Sequence, residues 1–128
     1  MGSGPERAPA LSFEAPNLAA QIEALSEAEI DALPFGAVRL DPHFFIRFYS
    51  ATEAKLSGYG HPVGENFFEI SESPQKGELK AKIQAAMETG KVDFEIAWRG
   101  GKGAALSELR LRVQSARDGG VWMFFERD

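Results

Sequence analysis

The stretch from Phe35 to Phe68 constrains the fold more than any other part of this 128-residue chain. It predicts two short strands, Phe35–Asp41 and Phe44–Tyr49, joined by a tight turn through Asp41-Pro42-His43. A short helix follows the second strand directly and ends at Gly58, because glycine readily adopts the left-handed conformation that closes helices. Since Phe44-Phe-Ile does not alternate in polarity, we expect the second strand to be covered on both faces. Two strands that lead straight into a helix indicate a mixed α and β domain.

The remaining segments predict an antiparallel sheet with helices on one face. Glu78–Thr89 carries an apolar stripe at helical spacing. Three strands follow, at Val92–Trp98, Leu106–Ser115 and Val121–Glu126. The last of them is almost wholly apolar, so we expect it to be the central strand, buried on both faces. The order predicts an α+β fold with a five-stranded antiparallel sheet and a helical cluster inserted after the second strand.

The N-terminal part of the chain predicts a tail and a helical cap. Residues 1–16 begin with a vector-like Met-Gly-Ser-Gly and are rich in Pro, Ala and Gly, which predicts disorder. Residues 17–33 contain two short amphipathic helical segments, and Ser26 and Glu29 have the spacing of a capping box. We therefore expect residues 17–33 to pack across the outer face of the sheet and residues 34–128 to form the core.

Composition excludes several function classes. Lys plus Arg number 14 and Asp plus Glu number 19, a net charge of -5 that argues against nucleic acid and against anionic membrane surfaces. No apolar run approaches the roughly 20 residues that span a bilayer, and no export leader is recognisable, so we expect a cytoplasmic protein. The chain has no cysteine, which excludes disulfides, thiolate metal sites and a cysteine nucleophile.

The chain resembles a PAS domain, and within that family the photoactive yellow protein branch. The likeness covers roughly residues 18–127 and is carried by five motifs, namely Phe35-Gly36-Ala37, Tyr49…Glu53…Ser57-Gly58, Asn66-Phe67-Phe68, Phe94-Glu95 and Val121-Trp-Met-Phe-Phe. It implies a PAS fold and a sensory role. The branch holds its chromophore on a cysteine, so the absence of cysteine excludes a covalent coumaroyl chromophore. Ser71-Glu-Ser-Pro74 stands in place of the cysteine loop, Tyr59 replaces a gating arginine, and the Gly-rich loop Arg99–Leu106 lacks the aromatic lid residue.

Tyr49, Glu53 and Ser57 form the candidate ligand-binding group. Positions four apart share a helix face, and a carboxyl in an apolar pocket has a raised pKa, so it can stay protonated and donate. The resemblance implies that Tyr49 and Glu53 donate to an anionic or carbonyl oxygen of a ligand, that Ser57 supports them, and that Phe68 and Trp98 complete the site. The alternative is that Glu53 faces solvent and Tyr49 only packs.

We accordingly expect a single-domain sensor or adaptor in signal transduction, acting by small-molecule binding, by protein contact, or both. Partners implied by the resemblance are a histidine kinase, another PAS domain or a second copy of the chain. Self-association would use the cap, whose apolar residues exceed what one short cap normally buries (Leu18, Ile22, Leu25 and Ile30). No cofactor, metal or catalytic residue is expected.

Three alternatives to this function stay open. His61 is the only candidate haem ligand, since His43 lies in a hairpin turn where we expect it to be exposed. A haem or other cofactor would make the chain a cofactor-binding PAS sensor. Glu53 or Tyr49 acting as a general acid or base would make it a small enzyme, although no Ser-His-Asp set, His-x-x-x-His pair or phosphate loop is present. A filled core would make it a purely structural interaction module.

Overall fold

One five-stranded antiparallel sheet organises the protein in a computed structural model that describes residues 11–127. The strands are β1 (Gly36–Leu40), β2 (Ile46–Tyr49), β3 (Asp93–Gly100), β4 (Ser107–Ser115) and β5 (Val121–Glu126). Their order across the sheet is β2-β1-β5-β4-β3, so β5 is central and pairs with β1 and β4. Five of its six residues are buried, which confirms the prediction of a doubly covered central strand.

Within residues 11–127, five helices accompany the sheet and match the predicted α+β order. They are α1 (Leu18–Glu23), α2 (Glu27–Asp31), α3 (Ala51–Ser57), α4 (Phe67–Ile70) and α5 (Lys76–Glu88), with one 3-10 turn at Gly103–Ala105. Helices α3 to α5 are inserted between β2 and β3, and all three pack on the core on one face of the sheet, α3 through the partly buried Ala54. Within the described residues, no helix is both long enough and apolar enough to cross a membrane.

Alternation along β5 divides the hydrophobic core into two layers. Met123 and Phe125 face the inner layer, where Leu79 and Ile83 of α5 pack on the sheet. Trp122 and Phe124 face the outer layer, which is closed by the N-terminal cap (Leu18, Ala19, Ile22, Ile30, Leu33). The predicted position of the cap across the outer face is confirmed, and Ser26 and Glu29 form the predicted capping box.

The segment that precedes the cap is ordered from residue 11, contrary to the prediction of disorder up to residue 16. Phe13 is only 1% exposed, and its ring meets the ring of Phe35 edge-on at 6.0 Å. Two arginines of β4 fix the segment: the Arg110 guanidinium lies 4.9 Å from the Phe13 ring, and Arg112 donates to the carbonyls of Phe13 and Ala15 at 2.6 and 2.9 Å. Composition does not reveal these anchors because they lie on a distant strand. The remainder of the predicted tail, residues 1–10, lies outside the described residues.

Strand β2 lies at a sheet edge and is shorter than predicted, so the expectation of a strand covered on both faces from Phe44 is wrong. Phe44 has a φ of 74° and belongs to the turn, while Phe45 is 38% exposed. The following loop closes this edge instead of another strand, because Ile46 N–H donates to Glu65 C=O at 2.9 Å and Gly64 N–H donates to Ile46 C=O at 2.8 Å. Non-alternating apolar residues here reflect a buried turn rather than a central strand.

The cap buries the apolar residues that had suggested self-association. Leu18 and Ile22 are fully buried and Ile30 is 4% exposed, all within their own domain. Leu25 is the one that stays half-buried. The cap therefore presents less free apolar surface than its sequence indicated, and a homodimer remains a prediction without that support.

Candidate functional site

Helix α3 is pinned to β1 by its N-cap residue. Ser50 is fully buried, and its Oγ accepts hydrogen bonds from Glu53 N–H at 3.2 Å and from Ala37 N–H at 3.0 Å. Gly58, with a φ of 84°, ends the helix. These two ends fix the rotation of the helix, so that Glu53 and Ser57 lie on the inward face at 3% and 1% exposure. The alternative in which Glu53 faces solvent is therefore excluded.

The Glu53 carboxylate forms a buried, two-pronged ion pair with Arg127. Arg127 Nη1 donates to Oε1 at 2.7 Å and Nη2 donates to Oε2 at 3.0 Å. The two side chains are 4% and 14% exposed, so the pair is largely shielded from water. Arg127 lies 74 residues further along the chain, directly after β5. Fork-to-fork pairing is the strongest geometry for a carboxylate and a guanidinium.

Gly36 makes room for this ion pair. A Cβ built on Gly36 would lie 2.0 Å from Glu53 Oε1 and 2.9 Å from its Cδ. No side chain other than hydrogen fits there unless the carboxyl group moves. The glycine of the Phe35-Gly36-Ala37 motif therefore serves the placement of Glu53, at the first residue of β1 and opposite Phe125 of β5.

Opposing effects act on the pKa of Glu53. Burial raises the pKa of this carboxyl above its ordinary value, while the hydrogen bonds and positive charge of Arg127 lower it. Both carboxyl oxygens accept hydrogen bonds from Arg127, which is the geometry of the ionised form. In this structure Glu53 is thus an acceptor, contrary to the expectation that it stays protonated and donates to a ligand.

Tyr49 and Ser57 form the second half of the polar group. Tyr49 Oη lies 2.7 Å from Ser57 Oγ, and both residues are buried. Burial and then the neighbouring charge of Glu53 raise the pKa of Tyr49, so the phenol stays protonated throughout the physiological range. Because each hydroxyl has the other as a partner, neither is left unsatisfied in the interior.

A very small cavity lies beside these residues. Its volume is about 10 Å³, at the limit of the space that one water molecule occupies. Ten residues line it: Tyr49, Glu53, Tyr59, Phe67, Ser71, Trp98, Gly100, Gly101, Phe125 and Arg127. Aromatic side chains thus fill most of the space in which a ligand was expected.

The structure brings together most, though not all, of the residues predicted for the site. Tyr49, Glu53 and Trp98 line the cavity. Ser57 does not line it but is hydrogen-bonded to Tyr49, which does. Phe68 does not line it: its ring packs edge-on against Phe67 at 5.1 Å and forms a second layer behind it. Whether these residues bind a ligand remains a prediction.

Two side chains that hold the site together, those of Tyr59 and Arg127, were not among the predicted binding residues. Tyr59 lines the cavity, and its hydroxyl accepts a hydrogen bond from Glu72 N–H at 2.8 Å, which ties the loop after α3 to the segment that precedes α5. Arg127 was missed because its partner is distant in sequence. A usable signal existed, since a buried Glu53 requires a cation and Arg127 directly follows the most apolar strand.

The two histidines lie away from this cavity. His43 and His61 are both exposed, so His61 does not approach the interior as a haem ligand would. Among the described residues, no group of three or more His, Asp or Glu side chains is arranged to hold a metal ion.

Comparisons with known proteins identify structures with the same fold. No family model matches the sequence, and no curated protein matches it significantly. The photoactive yellow protein domain of the sensor histidine kinase Ppr from Rhodospirillum centenum is similar, with 26% identity, a TM-score of 0.72, and coverage of 84% of this chain and 98% of that one. A sensory box sensor histidine kinase from Vibrio cholerae (18% identity, TM-score 0.57, coverage 86% and 94%) has the same fold. The PAS domain of the Cronobacter turicensis quorum-sensing receptor RpfR also has this fold, with 16% identity, a TM-score of 0.54, and coverage of 73% of this chain and 90% of that one.

Sheet order, inserted helices and outer cap, together with these similarities, show that the chain has the fold of a PAS domain. Within that class it resembles the photoactive yellow protein branch, but it has no cysteine to carry that branch's chromophore. Two of the three similar structures come from sensor histidine kinases.

Proposed function

We propose that this PAS domain acts in signal transduction chiefly through protein contact, as an adaptor for a signalling protein such as a histidine kinase or another PAS domain. The observation that carries the proposal is the filled interior. Ligand sites usually enclose about 300–1,000 Å³, whereas the cavity beside Tyr49 and Glu53 holds about 10 Å³. Entry of a chromophore or other cofactor would require the aromatic lining to move apart.

The buried polar groups already have hydrogen-bond partners within the domain, which supports the same function. Glu53 has both oxygens engaged by Arg127, and Tyr49 is paired with Ser57. A ligand would have to replace these bonds, and each buried group left without a partner costs about 1–3 kcal/mol. For the same reason an acid/base enzyme is not favoured, because Glu53, the one carboxyl among the described residues that line the cavity, is already held by a guanidinium.

A small-molecule sensor is the second candidate, and one feature favours it. Arg127 Nε is buried and has no hydrogen-bond partner among the described residues, so the guanidinium is not fully satisfied where it lies. A ligand that supplied an acceptor there, or a cation for Glu53, would compete for the ion pair. RpfR was solved in complex with BDSF and with C12:0, so in that protein the PAS domain holds a ligand.

Native mass spectrometry and an absorption spectrum of the purified protein separate the two candidates. The adaptor function predicts the 14.0 kDa polypeptide alone, with no visible absorption and no bleaching under blue light. Additional mass above that of the polypeptide, lost when the protein is denatured, would favour the small-molecule sensor. A Soret band would establish haem, and absorption of blue light would point to a flavin; either result would refute the adaptor proposal.

A two-hybrid screen tests the positive side of the proposal. Histidine kinase and PAS fragments from the source genome serve as prey, and unrelated domains of similar size serve as controls. We expect at least one kinase or PAS fragment to interact reproducibly. An interaction profile no different from that of the control domains would contradict the adaptor function.

A further inference from the structure

Strand β3 forms the second edge of the sheet, and within residues 11–127 it pairs with β4 alone. All eight of its residues are in register with β4, from Asp93 opposite Gln114 to Gly100 opposite Ser107. In an antiparallel strand, the N–H and C=O of one residue point to the same side and alternate along the chain. Ala97 C=O and Arg99 N–H both point away from β4, since they bond a side chain from elsewhere. The backbone groups of Asp93 and Glu95 therefore point outward as well.

The outward-pointing groups of Ala97 and Arg99 are bonded by one side-chain amide. Gln75 Nε2 donates to Ala97 C=O at 3.2 Å, and Arg99 N–H donates to Gln75 Oε1 at 2.7 Å. A residue of a parallel neighbouring strand makes these same two bonds, to the residues before and after its counterpart. Gln75 thus imitates one residue of a parallel strand placed opposite Trp98.

The edge offers two further pairs of bonding positions with the same spacing. Glu95 C=O with Ala97 N–H forms one pair, and Asp93 C=O with Glu95 N–H forms the next. Among the described residues, none of these four groups has a hydrogen-bond partner outside the sheet. Asp93, Glu95 and Ala97 are exposed, so an extended segment has access to them. An open edge with unpaired groups is a template for strand addition.

Side chains along this edge define the chemistry of the added strand. Phe94 and Ile96 are half-buried on the inner side, and they would meet alternate apolar side chains of an incoming strand. Asp93 and Glu95 lie on the outer side, and a basic side chain opposite Glu95 would extend the existing pairing of Glu95 with Arg110 at 2.8 Å. A groove of about 300 Å³, lined in part by Gln75, lies where the segment would continue.

We propose that the β3 edge binds an extended segment of a partner protein as a sixth, parallel strand, with the Gln75 amide marking the register. The segment alternates apolar residues opposite Phe94 and Ile96 with a basic residue opposite Glu95. The inference rests on the proposed function, because it states how the signalling partner is held. Main-chain bonds supply affinity in such an arrangement, and alternate side chains supply specificity.

Hydrogen exchange of the full chain with a defined peptide tests the proposal. The probe is acetyl-Thr-Val-Lys-Val-Thr-amide, whose valines match Phe94 and Ile96 and whose lysine matches Glu95. At saturating peptide, we expect exchange of the Glu95 and Ala97 amides to slow by about tenfold, since both enter hydrogen bonds. A peptide N-methylated at its second valine lacks the N–H that bonds Glu95 C=O, and it should give no protection.

Substitution of the edge provides an independent measurement. Ala97→Pro removes an N–H that points outward, and an edge strand tolerates proline at such a position. Loss of one bond should weaken peptide binding by about fivefold. Gln75→Ala frees Ala97 C=O and Arg99 N–H, so a probe extended by one residue should bind that variant more tightly than the shorter probe does.

Three results would overturn the proposal. The first is equal protection by the N-methylated and unmodified peptides, which needs no Ala97→Pro variant and so remains valid if that variant fails to fold. The second is no protection at Glu95 and Ala97 with peptide in excess. The third is protection that rises with protein concentration alone, which would make a second copy the occupant. None of these three results changes the outcome of the native-mass test of the adaptor function. A ligand found in the native-mass test would likewise not change the peptide measurements at β3.

Discussion

Removal of the Arg127 side chain tests the reasoning about the site most directly. The Glu53 side chain is only 4% exposed in the wild type, and Arg127→Ala removes both of its charged hydrogen bonds. Breaking a buried ion pair from one side leaves an uncompensated charge and costs about 3–5 kcal/mol. We expect a loss near the lower end, about 3 kcal/mol, because the carboxyl can take up a proton instead of remaining charged.

Urea unfolding of four proteins measures this cost and assigns it to the pair. They are the wild type, Arg127→Ala, Glu53→Gln and the double variant. Glu53→Gln should cost less, about 1–2 kcal/mol, because the freed guanidinium can turn towards water. The double variant should be more stable than the sum of the single losses predicts, by at least about 1 kcal/mol. A fifth protein, Arg127→Lys, keeps the charge but not the two-pronged geometry, and its stability should fall between those of the wild type and Arg127→Ala.

The pH dependence of Arg127→Ala carries a definite sign. Burial raises the pKa of Glu53, and the variant lacks the guanidinium that opposes this rise. A carboxyl whose folded-state pKa lies above its unfolded value contributes most below the unfolded pKa, and stability is lost as the pH rises through the folded value. The deficit of Arg127→Ala should therefore be larger at pH 7 than at about pH 4.5. An unchanged deficit across this range, or a loss below about 1 kcal/mol at pH 7, would refute the buried ion pair.

Two further predictions concern a glycine and a turn. Gly36→Ala should cost about 1–3 kcal/mol in urea unfolding, because its Cβ would lie 2.0 Å from Glu53 Oε1. Gly77→Ala is the control, since a Cβ built on Gly77 has no atom within 4 Å. Equal losses of stability in the two variants would contradict the argument. Burial alone would raise the pKa of Asp41, but hydrogen bonds from two turn amides and Arg47 hold it below its ordinary value. Its contribution is present above that value and lost as the pH falls, so the cost of Asp41→Asn should shrink between about pH 5 and pH 3; a constant cost would contradict it.

Much of the fold was predictable because local signals agreed with one another. Alternation identified β4, and the apolar run of β5 gave the central strand with its bounds. Capping residues gave α2 and, through Gly58, the end of α3. Each of these signals depends on residues close in sequence, where spacing and side-chain chemistry suffice.

The errors in the fold share a cause, which is contact between residues far apart in sequence. Residues 11–16 are ordered by Arg110 and Arg112, nearly a hundred positions away. Phe44 adopts a positive φ and is buried in a turn, where an apolar run suggested a covered strand. Neither feature leaves a local pattern, so neither composition nor periodicity reveals it.

At the site, the sequence predicted the helix face but not what that face contacts. Spacing placed Tyr49, Glu53 and Ser57 together, and the structure brings all three inside. Whether Glu53 acts as donor or acceptor depends on Arg127. The pairing register of β1 with β5, in which Gly36 lies opposite Phe125, brings Arg127 close to Glu53. A pairing register across 89 positions is not readable from either strand separately.

The position of Arg127 links the interior to the end of the sheet. A charge on helix α3 is neutralised by the residue that directly follows the central strand, so movement of the helix and movement of the strand end cannot be independent while the pair holds. In a domain without a covalent chromophore, this pair occupies the place that the resemblance assigned to ligand binding. A partner held at β3 would be joined to the same centre through Trp98, which lines the cavity and stands opposite Gln75 in the proposed register. Peptide binding at β3 should therefore change the fluorescence of Trp98, with Trp98→Phe as the reference that leaves only the outer-layer Trp122. An unchanged spectrum at saturating peptide would separate the edge from the interior.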